Sequence, residues 1–433
     1  MIPIVRDAAR QTIRFRAGNS RREDIRRSVD EILTAVRERG DSAVREYNQR
    51  FDGACPEDFE LDRKCLEEAA QAVPASLLET LRTAADNIRR YHSAQVRRGF
   101  TLNGEGTMLM ERIVPLENVG VYVPGGTAAY PSSVLMNVIP AKIAGVDEVI
   151  MASPPTCNGT VSPIILAAAY IAGVDRVFQV GGAQAIAAMA YGTESIPAVC
   201  KIIGPGNAYV AEAKRQVYGQ VGIELIGGPS EILIVADEAN RPEVLAADML
   251  AQAEHDTMAT AVLITTSEEL AEGVAAEIEK QLTTLPREEI ARASINNNGM
   301  ILLVGSLQEG LALANRMAPE LLGLYVKDPF NYISSIRSAG SVFLGGSCPE
   351  ALGDYFSGTN HTLPTGGSAR YGSPLSVDDF IKKISFTYYS SDALESVKDG
   401  LAELARAEGL EGHARSVLIR SSIGCRGSLN SSK

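Results

Sequence analysis

Val119-Gly-Val-Tyr-Val-Pro-Gly-Gly126, the helical pattern Ser132–Ala144 and Glu148-Val-Ile-Met-Ala152 decide the fold class. A short β-branched run ends in a glycine-bearing junction, an apolar helical pattern follows, and a second β-branched run begins. Parallel strands need a helical crossover, so this alternation marks α/β architecture. Outward from it, the rhythm continues with strand candidates Arg176–Val180 and Lys201–Ile203 and helix candidates Pro163–Ala172, Ala183–Tyr191 and Asn207–Tyr218. A second series has strand candidates Glu231–Ala236, Ala261–Thr265, Met300–Val304, Leu322–Val326 and Ser341–Leu344. Helical patterns at Pro242–His255, Glu268–Gln281, Leu307–Met317 and Pro329–Arg337 separate them. The prediction is α/β: two Rossmann-like, parallel-rich sheets covered by helices, with small helical elements at the N- and C-termini.

The first hundred residues read as mainly helical, at Arg22–Arg37, Leu61–Ala72 and Pro74–Ser93. Gly353–Pro374, rich in Gly, Thr and Ser, reads as a loop carrying function or a hinge. A short strand, Ile384–Tyr388, a helix, Ala393–Glu408, and a frayed polar tail, Arg426–Lys433, complete the chain.

Length and charge narrow the function. The 433 residues suit two large domains with appendages, and 45% hydrophobic with 22% charged residues suits a folded chain. A net charge of −12 argues against a nucleic-acid binder, which needs an electropositive face. The early arginines (Arg6, Arg10, Arg14, Arg16, Arg21, Arg22, Arg26, Arg27) are interleaved with Asp7, Glu23, Asp24, Asp30 and Glu31. That mixture reads as a solvated helix face rather than a transit peptide. The longest apolar stretch, Pro163–Val174, is too short to span a bilayer. Six cysteines (Cys55, Cys65, Cys157, Cys200, Cys348, Cys425) lack CxxC spacing and read as buried or idle thiols in a reducing, cytoplasmic setting.

Three glycine-containing junctions follow strands: Tyr122-Val-Pro-Gly-Gly126, Val180-Gly-Gly-Ala-Gln184 and Gly204-Pro-Gly-Asn207. Glycine lets backbone N–H groups approach a ligand, and helix N-termini favour phosphate. The bland alternative is that these glycines serve tight βα turns. No GxGxxG follows a strand, since Gly204-Pro-Gly-Asn-Ala-Tyr209 ends in tyrosine.

Histidine is scarce: His92, His255, His361 and His413. Gln252 and His255 stand three apart in a helical pattern and are expected to share a face, as metal donors or simply as a polar helix end. His361 lies in the glycine-rich segment after Asp354 and Tyr355, and His413 closes Glu408-Gly-Leu-Glu-Gly-His413. Two imidazoles, a carboxylate and an amide oxygen are able to fill a zinc site, although glutamine is not among zinc's usual donors. His92, in Arg90-Tyr-His-Ser93, reads as a helix-surface residue.

With these segments assembled, the chain resembles histidinol dehydrogenases over nearly its whole length. The matching segments are Gly120-Val-Tyr-Val-Pro-Gly-Gly126, Val180-Gly-Gly-Ala-Gln-Ala185, Gly204-Pro-Gly-Asn-Ala208, Gly227-Gly-Pro-Ser-Glu231, Gln252-Ala-Glu-His255, Ala318-Pro-Glu320, Gly353-Asp-Tyr355, Asn360-His361 and Glu408 to His413. The resemblance implies oxidation of L-histidinol through an aldehyde to L-histidine, with two NAD reduced, at the end of histidine biosynthesis. It implies zinc on Gln252, His255, Asp354 and His413, the last from a partner subunit of a homodimer. It assigns NAD contacts to Tyr122, Gln184 and Asn207. Substrate contacts fall to Ser230, His361 and Glu408 alongside the metal ligands, and water activation to Glu320. The implied domains are an N-terminal arm over residues 1–25, a discontinuous α/β domain over 26–121 and 230–375 carrying the zinc site, an α/β domain over 122–229 carrying the NAD loops, and C-terminal elements over 376–433.

One position departs from the pattern. Histidinol dehydrogenases are expected to carry a histidine base directly after the glutamate of Ala-Pro-Glu, and this chain has Leu321. Leucine exchanges no proton. Three readings follow: histidinol oxidation with another group supplying the base, a paralogous zinc–NAD dehydrogenase for another small alcohol, or a non-catalytic relative that binds ligand.

Overall fold

The computed structural model describes residues 2–6, 22–53, 55–125, 129–156 and 159–424. Arg10, Arg14, Arg16, Arg21, Gly126, Cys157, Cys425 and the tail 426–433 lie outside the described residues. In chain order the strands begin with β1 (Ile4–Val5), β2 (Glu60–Leu61), β3 (Phe100–Gly104), β4 (Thr107–Pro115), β5 (Asn118–Tyr122), β6 (Glu148–Ala152), β7 (Arg176–Phe178) and β8 (Lys201–Ile203). They continue with β9 (Gly222–Ile223), β10 (Glu231–Ala236), β11 (Thr260–Thr265), β12 (Met300–Leu303), β13 (Leu321–Tyr325), β14 (Ser341–Leu344) and β15 (Ile381–Tyr389). The chain divides into two compact units, Met1–Val96 with Leu116–Phe380, and Arg97–Pro115 with Ile381–Lys433.

The larger unit holds two six-stranded sheets, ordered β2-β7-β6-β5-β8-β9 and β1-β12-β11-β10-β13-β14. Every pairing in them is parallel except β2 with β7. Strands such as β10 (Glu-Ile-Leu-Ile-Val-Ala) and β11 are buried at every residue, as expected where helices cover both faces. The crossover helices are punctuated by their own sequence. Pro131 opens Pro131–Ala144 and Pro163 opens Pro163–Ala172, where a missing N–H costs nothing. Gly145 (φ 88°) and Gly173 (φ 83°) end them in the left-handed region that favours glycine.

The smaller unit is a three-stranded antiparallel sheet, β15-β4-β3, with helices Ser391–Ala407 and Glu411–Gly424. Its own core is small, built on Ala402, Ala405 and Ala414. Phe100, Leu102, Leu109, Ile384, Phe386, Tyr388 and Tyr389 remain exposed on its strands.

Several expectations are corrected. Pro329–Arg337 is a 3-10 segment, Pro329–Ser335. The helix from Pro242 stops at Ala253, short of His255. Gly353 and Asp354 belong to a short helix, Glu350–Tyr355, not to a loop. The hairpin of β3 and β4 and the helix Glu288–Asn298 were not expected at all. Among the described residues no helix is long and apolar enough to cross a membrane.

Candidate functional site

The order in which strands are added to the first sheet reverses between β5 and β8, and the carboxyl ends on either side of such a reversal frame a crevice. The two junctions meet there. A Cβ added to Gly204 (φ 110°) would lie 2.1 Å from the Tyr122 carbonyl oxygen, so only glycine lets the loops close. Glu224 fixes the junction, accepting the Gly204 N–H at 2.9 Å and pairing with Lys214 Nζ at 2.6 Å. Asn207 caps the next helix, its Oδ1 accepting the N–H groups of Tyr209 (3.0 Å) and Val210 (3.1 Å).

At the junction after β7, two strands from β5, the Gly182 N–H donates to the Tyr122 hydroxyl at 3.0 Å, and burial pushes that hydroxyl's pKa up to about 12. Gln184 is fully buried. Its Nε2 donates to Asn48 Oδ1 at 3.2 Å and its Oε1 has no partner among the described residues. Tyr122, Gln184 and Asn207 thus all stand at the carboxyl edge of one sheet.

The second group gathers at the opposite, amino edge of the other sheet. Glu320, just before β13, accepts the backbone N–H of Glu231 on β10 at 2.9 Å. Glu231 in turn accepts the Gly366 N–H at 2.9 Å, and Thr365 Oγ1 accepts that of Gly228 at 2.6 Å. These bonds tie the segment holding Ser230 to the glycine-rich segment holding His361. Burial raises both carboxyls, Glu231 up to about 7 and Glu320 well above the usual range, with Glu231 and Asp354 repelling the Glu320 charge. Leu321, the first residue of β13, is 4% exposed and packs in the core with Ile232, Leu250, Ala253 and Leu363.

Gln252 is buried, and its Nε2 has no partner among the described residues. His255 lies beyond the helix end, its N–H bonded to the Gln252 carbonyl at 3.3 Å, with an edge open to water. The protein behind it lowers its pKa, Glu254 opposing and Arg287 adding. Burial alone lifts the Asp354 carboxyl up to about 6. Glu350, one helical turn earlier, is buried with Oε2 unpartnered among the described residues, and its pKa is raised by burial and by Asp354, Asp248 and Glu320. His361 is lowered to about 4 by burial, with His255 adding repulsion, so its imidazole is neutral at pH 7.

His92 corrects its surface reading, being fully buried. Its Nδ1 bonds Gln95 Oε1 at 2.7 Å, and its Nε2 stands 3.5 Å from Asn360 Nδ2. Asn360 also donates to the Met136 carbonyl at 2.7 Å and accepts the Thr362 N–H at 2.9 Å, which pins the chain on both sides of His361 to a helix of the first sheet. The buried stripe Leu81, Ala84, Ala85, Ile88, His92 carries helical spacing that was available to reveal this. Glu231 and Asn360 sit inside quoted motifs, whereas Glu350 has no sequence signal. Glu408 and His413 lie in the smaller unit, Glu408 capping helix Ser391–Ala407 and His413 in the first turn of the next helix. Among the described residues no three His, Cys, Asp or Glu side chains converge as a metal site.

Glycine junctions and helix caps at one sheet edge, with imidazole, carboxylate and amide groups at the edge of a second, define a doubly wound α/β protein of the ligand-binding kind. The histidinol dehydrogenase family model matches residues 16–421. A histidinol dehydrogenase of Bacillus cereus is 54% identical over 399 residues, 92% of this chain and 93% of its own. One of Geobacillus kaustophilus is 51% identical over 399 residues, 92% and 94% of the two chains. The crystal structure of histidinol dehydrogenase from Elizabethkingia anophelis matches with a TM-score of 0.91 at 36% identity, covering 97% of this chain and 98% of that one. The chain belongs to the histidinol dehydrogenase family and is an NAD-dependent oxidoreductase.

Proposed function

We propose that this protein oxidises L-histidinol through L-histidinaldehyde to L-histidine, reducing two NAD, in the final steps of histidine biosynthesis. One observation carries the reading: Glu231 and Asp354 both repel the charge of buried Glu320, and Asp354 also repels that of buried Glu350. Such crowding of carboxyls suits a divalent cation, which would relieve their repulsion. Gln252, His255, Asp354 and His413 would hold zinc, with His413 supplied by a second copy of the chain. The exposed apolar strands of the smaller unit support that homodimer.

When bound, zinc would fix the substrate's amine and imidazole nitrogens and NAD would accept hydride. Ser230 and His361, with a Glu408 supplied like His413 by the second copy, bind and orient the substrate, His361 as a neutral imidazole. Glu320 takes a proton at its carboxylate from the water that adds to the aldehyde, and its burial makes that carboxylate a stronger base than a free one. Tyr122, Gln184 and Asn207 line the dinucleotide cradle. Zinc-loaded protein should yield two NADH and one histidine per histidinol. NADH formed only from some other alcohol would favour a paralogous dehydrogenase, the reading that Leu321 supports by removing a base.

A further inference from the structure

We propose that Asp52 recognises the adenosine ribose of the bound dinucleotide through its hydroxyls, and so selects NAD over the 2′-phosphorylated form. The inference rests on the NAD reading above and adds the residue that sets its specificity.

Local structure gives Asp52 no reason to be acidic. It ends helix Asp41–Phe51, its N–H bonding the Asn48 carbonyl at 2.9 Å. A carboxylate there faces the negative end of the helix dipole. Its Oδ2 is buried, and no hydrogen bond or ion pair reaches it among the described residues. Burial alone lifts its pKa to about 6. A buried acceptor left without a donor costs free energy and needs a cause outside the folded chain.

The surroundings supply one. A Cβ added to Gly181 would lie 3.3 Å from Asp52 Oδ2 and 2.5 Å from Pro154 Cβ, and one added to Gly125 would lie 2.6 Å from Pro154 Cγ. Asp52 therefore borders the junction that follows β7, which packs through Pro154 against those that follow β6 and β5. Three more buried atoms at these strand ends lack partners among the described residues: Ser153 Oγ, Gln179 Oε1 and Gln184 Oε1. Carboxylate and amide oxygens only accept, so the missing ligand must donate several hydrogen bonds. A ribose diol does this. A 2′-phosphate brings acceptors and negative charge and is repelled.

The position selects the adenosine end. Asn360, beside His361, bonds Met136 of the helix that follows β5. Asp52 lies near β7, two strands away and on the order of 10 Å across the sheet. A dinucleotide with its nicotinamide toward His361 then presents its other ribose to Asp52.

The test titrates the full-length protein with NADH and with NADPH, read by nucleotide fluorescence and by thermal shift. The wild type should prefer NADH. Asp52→Asn should weaken NADH binding about tenfold while NADPH holds or improves, lowering the preference by a similar factor. Asp52→Ser gives the same readout should the amide perturb folding. A preference unchanged in both variants, or absent from the wild type, overturns the assignment to Asp52 alone. A wild type that binds neither nucleotide overturns the dinucleotide reading as well.

Discussion

Glu320 and Glu231 are joined side chain to backbone across paired parallel strands, Oε2 of the first accepting the N–H of the second at 2.9 Å. Glutamine at position 320 can keep that bond through its amide oxygen but cannot take up a proton. Glu320→Gln is therefore expected to fold, with a melting temperature equal to or above wild type, because a buried charge is removed. If Glu320 activates water, histidine formation falls about 10²–10⁴-fold. The aldehyde then accumulates and NADH per histidinol drops from two toward one. Two NADH per histidinol at the wild-type rate would remove Glu320 from the mechanism.

Leu321 tests the missing base. Its side chain lies in the same core as Leu250, Ala253 and Leu363, so an imidazole there loses apolar contacts and water together. Leu321→His should cost about 1–3 kcal/mol of stability through burial of a polar ring. It should also raise histidinol turnover about 10²-fold or more if the pocket is otherwise preserved. A less stable variant with unchanged turnover would show that another group already serves as base, or that histidinol is not the substrate.

The series from Val119 to Ser341 was legible because its elements carry their own punctuation. Pro163 and Gly173 bound a helix within one apolar run, and β6 and β10 needed no partner to be recognised. The hairpin of β3 and β4 was not legible: Phe100, Leu102 and Leu109 stay exposed, so no burial contrast marks a face. Site chemistry divided the same way. Spacing put Gln252 and His255 on one helix face, yet the helix ends between them, so one is buried and the other open to water. His92 was misjudged because its polar neighbours Arg90 and Ser93 hide a buried phase. Glu350 and Asp52 carry no motif, and their unpartnered oxygens become visible only when the strand ends are assembled.

Metal removal should separate binding from chemistry. Dialysis against a chelator is expected to abolish NADH formation, and Zn²⁺ should restore it, while NADH still binds because Tyr122, Gln184 and Asn207 stand at the edge of the other sheet. Full activity in protein shown by elemental analysis to be free of divalent metal would end the zinc proposal.

Gly204→Ala tests the crevice between β5 and β8. The backbone there has φ 110°, and the new Cβ would sit 2.1 Å from the Tyr122 carbonyl. Neither the conformation nor the contact yields without moving backbone, so a loss of about 2–4 kcal/mol is expected. Because Tyr122 moves with its carbonyl, NADH affinity should fall as well. A melting temperature equal to wild type would show that the junctions are looser than this packing requires.

Asp52 links affinity to stability through pH. Its folded-state pKa of about 6 lies above the ordinary 3.8, so between those values the folded chain holds the proton more tightly than the unfolded chain. The cost of the buried charge is full above pH 6 and fades as pH falls toward 4. Asp52→Asn removes the cost, and should stabilise the protein at pH 7.5 by about 1–2 kcal/mol after allowance for the part of the side chain that water reaches. Melting curves of both proteins should converge between pH 6 and 4. A gap independent of pH would mean that Asp52 is not the titrating group, whereas a stabilised variant that binds NADH poorly is the signature of a charge held ready for a ligand.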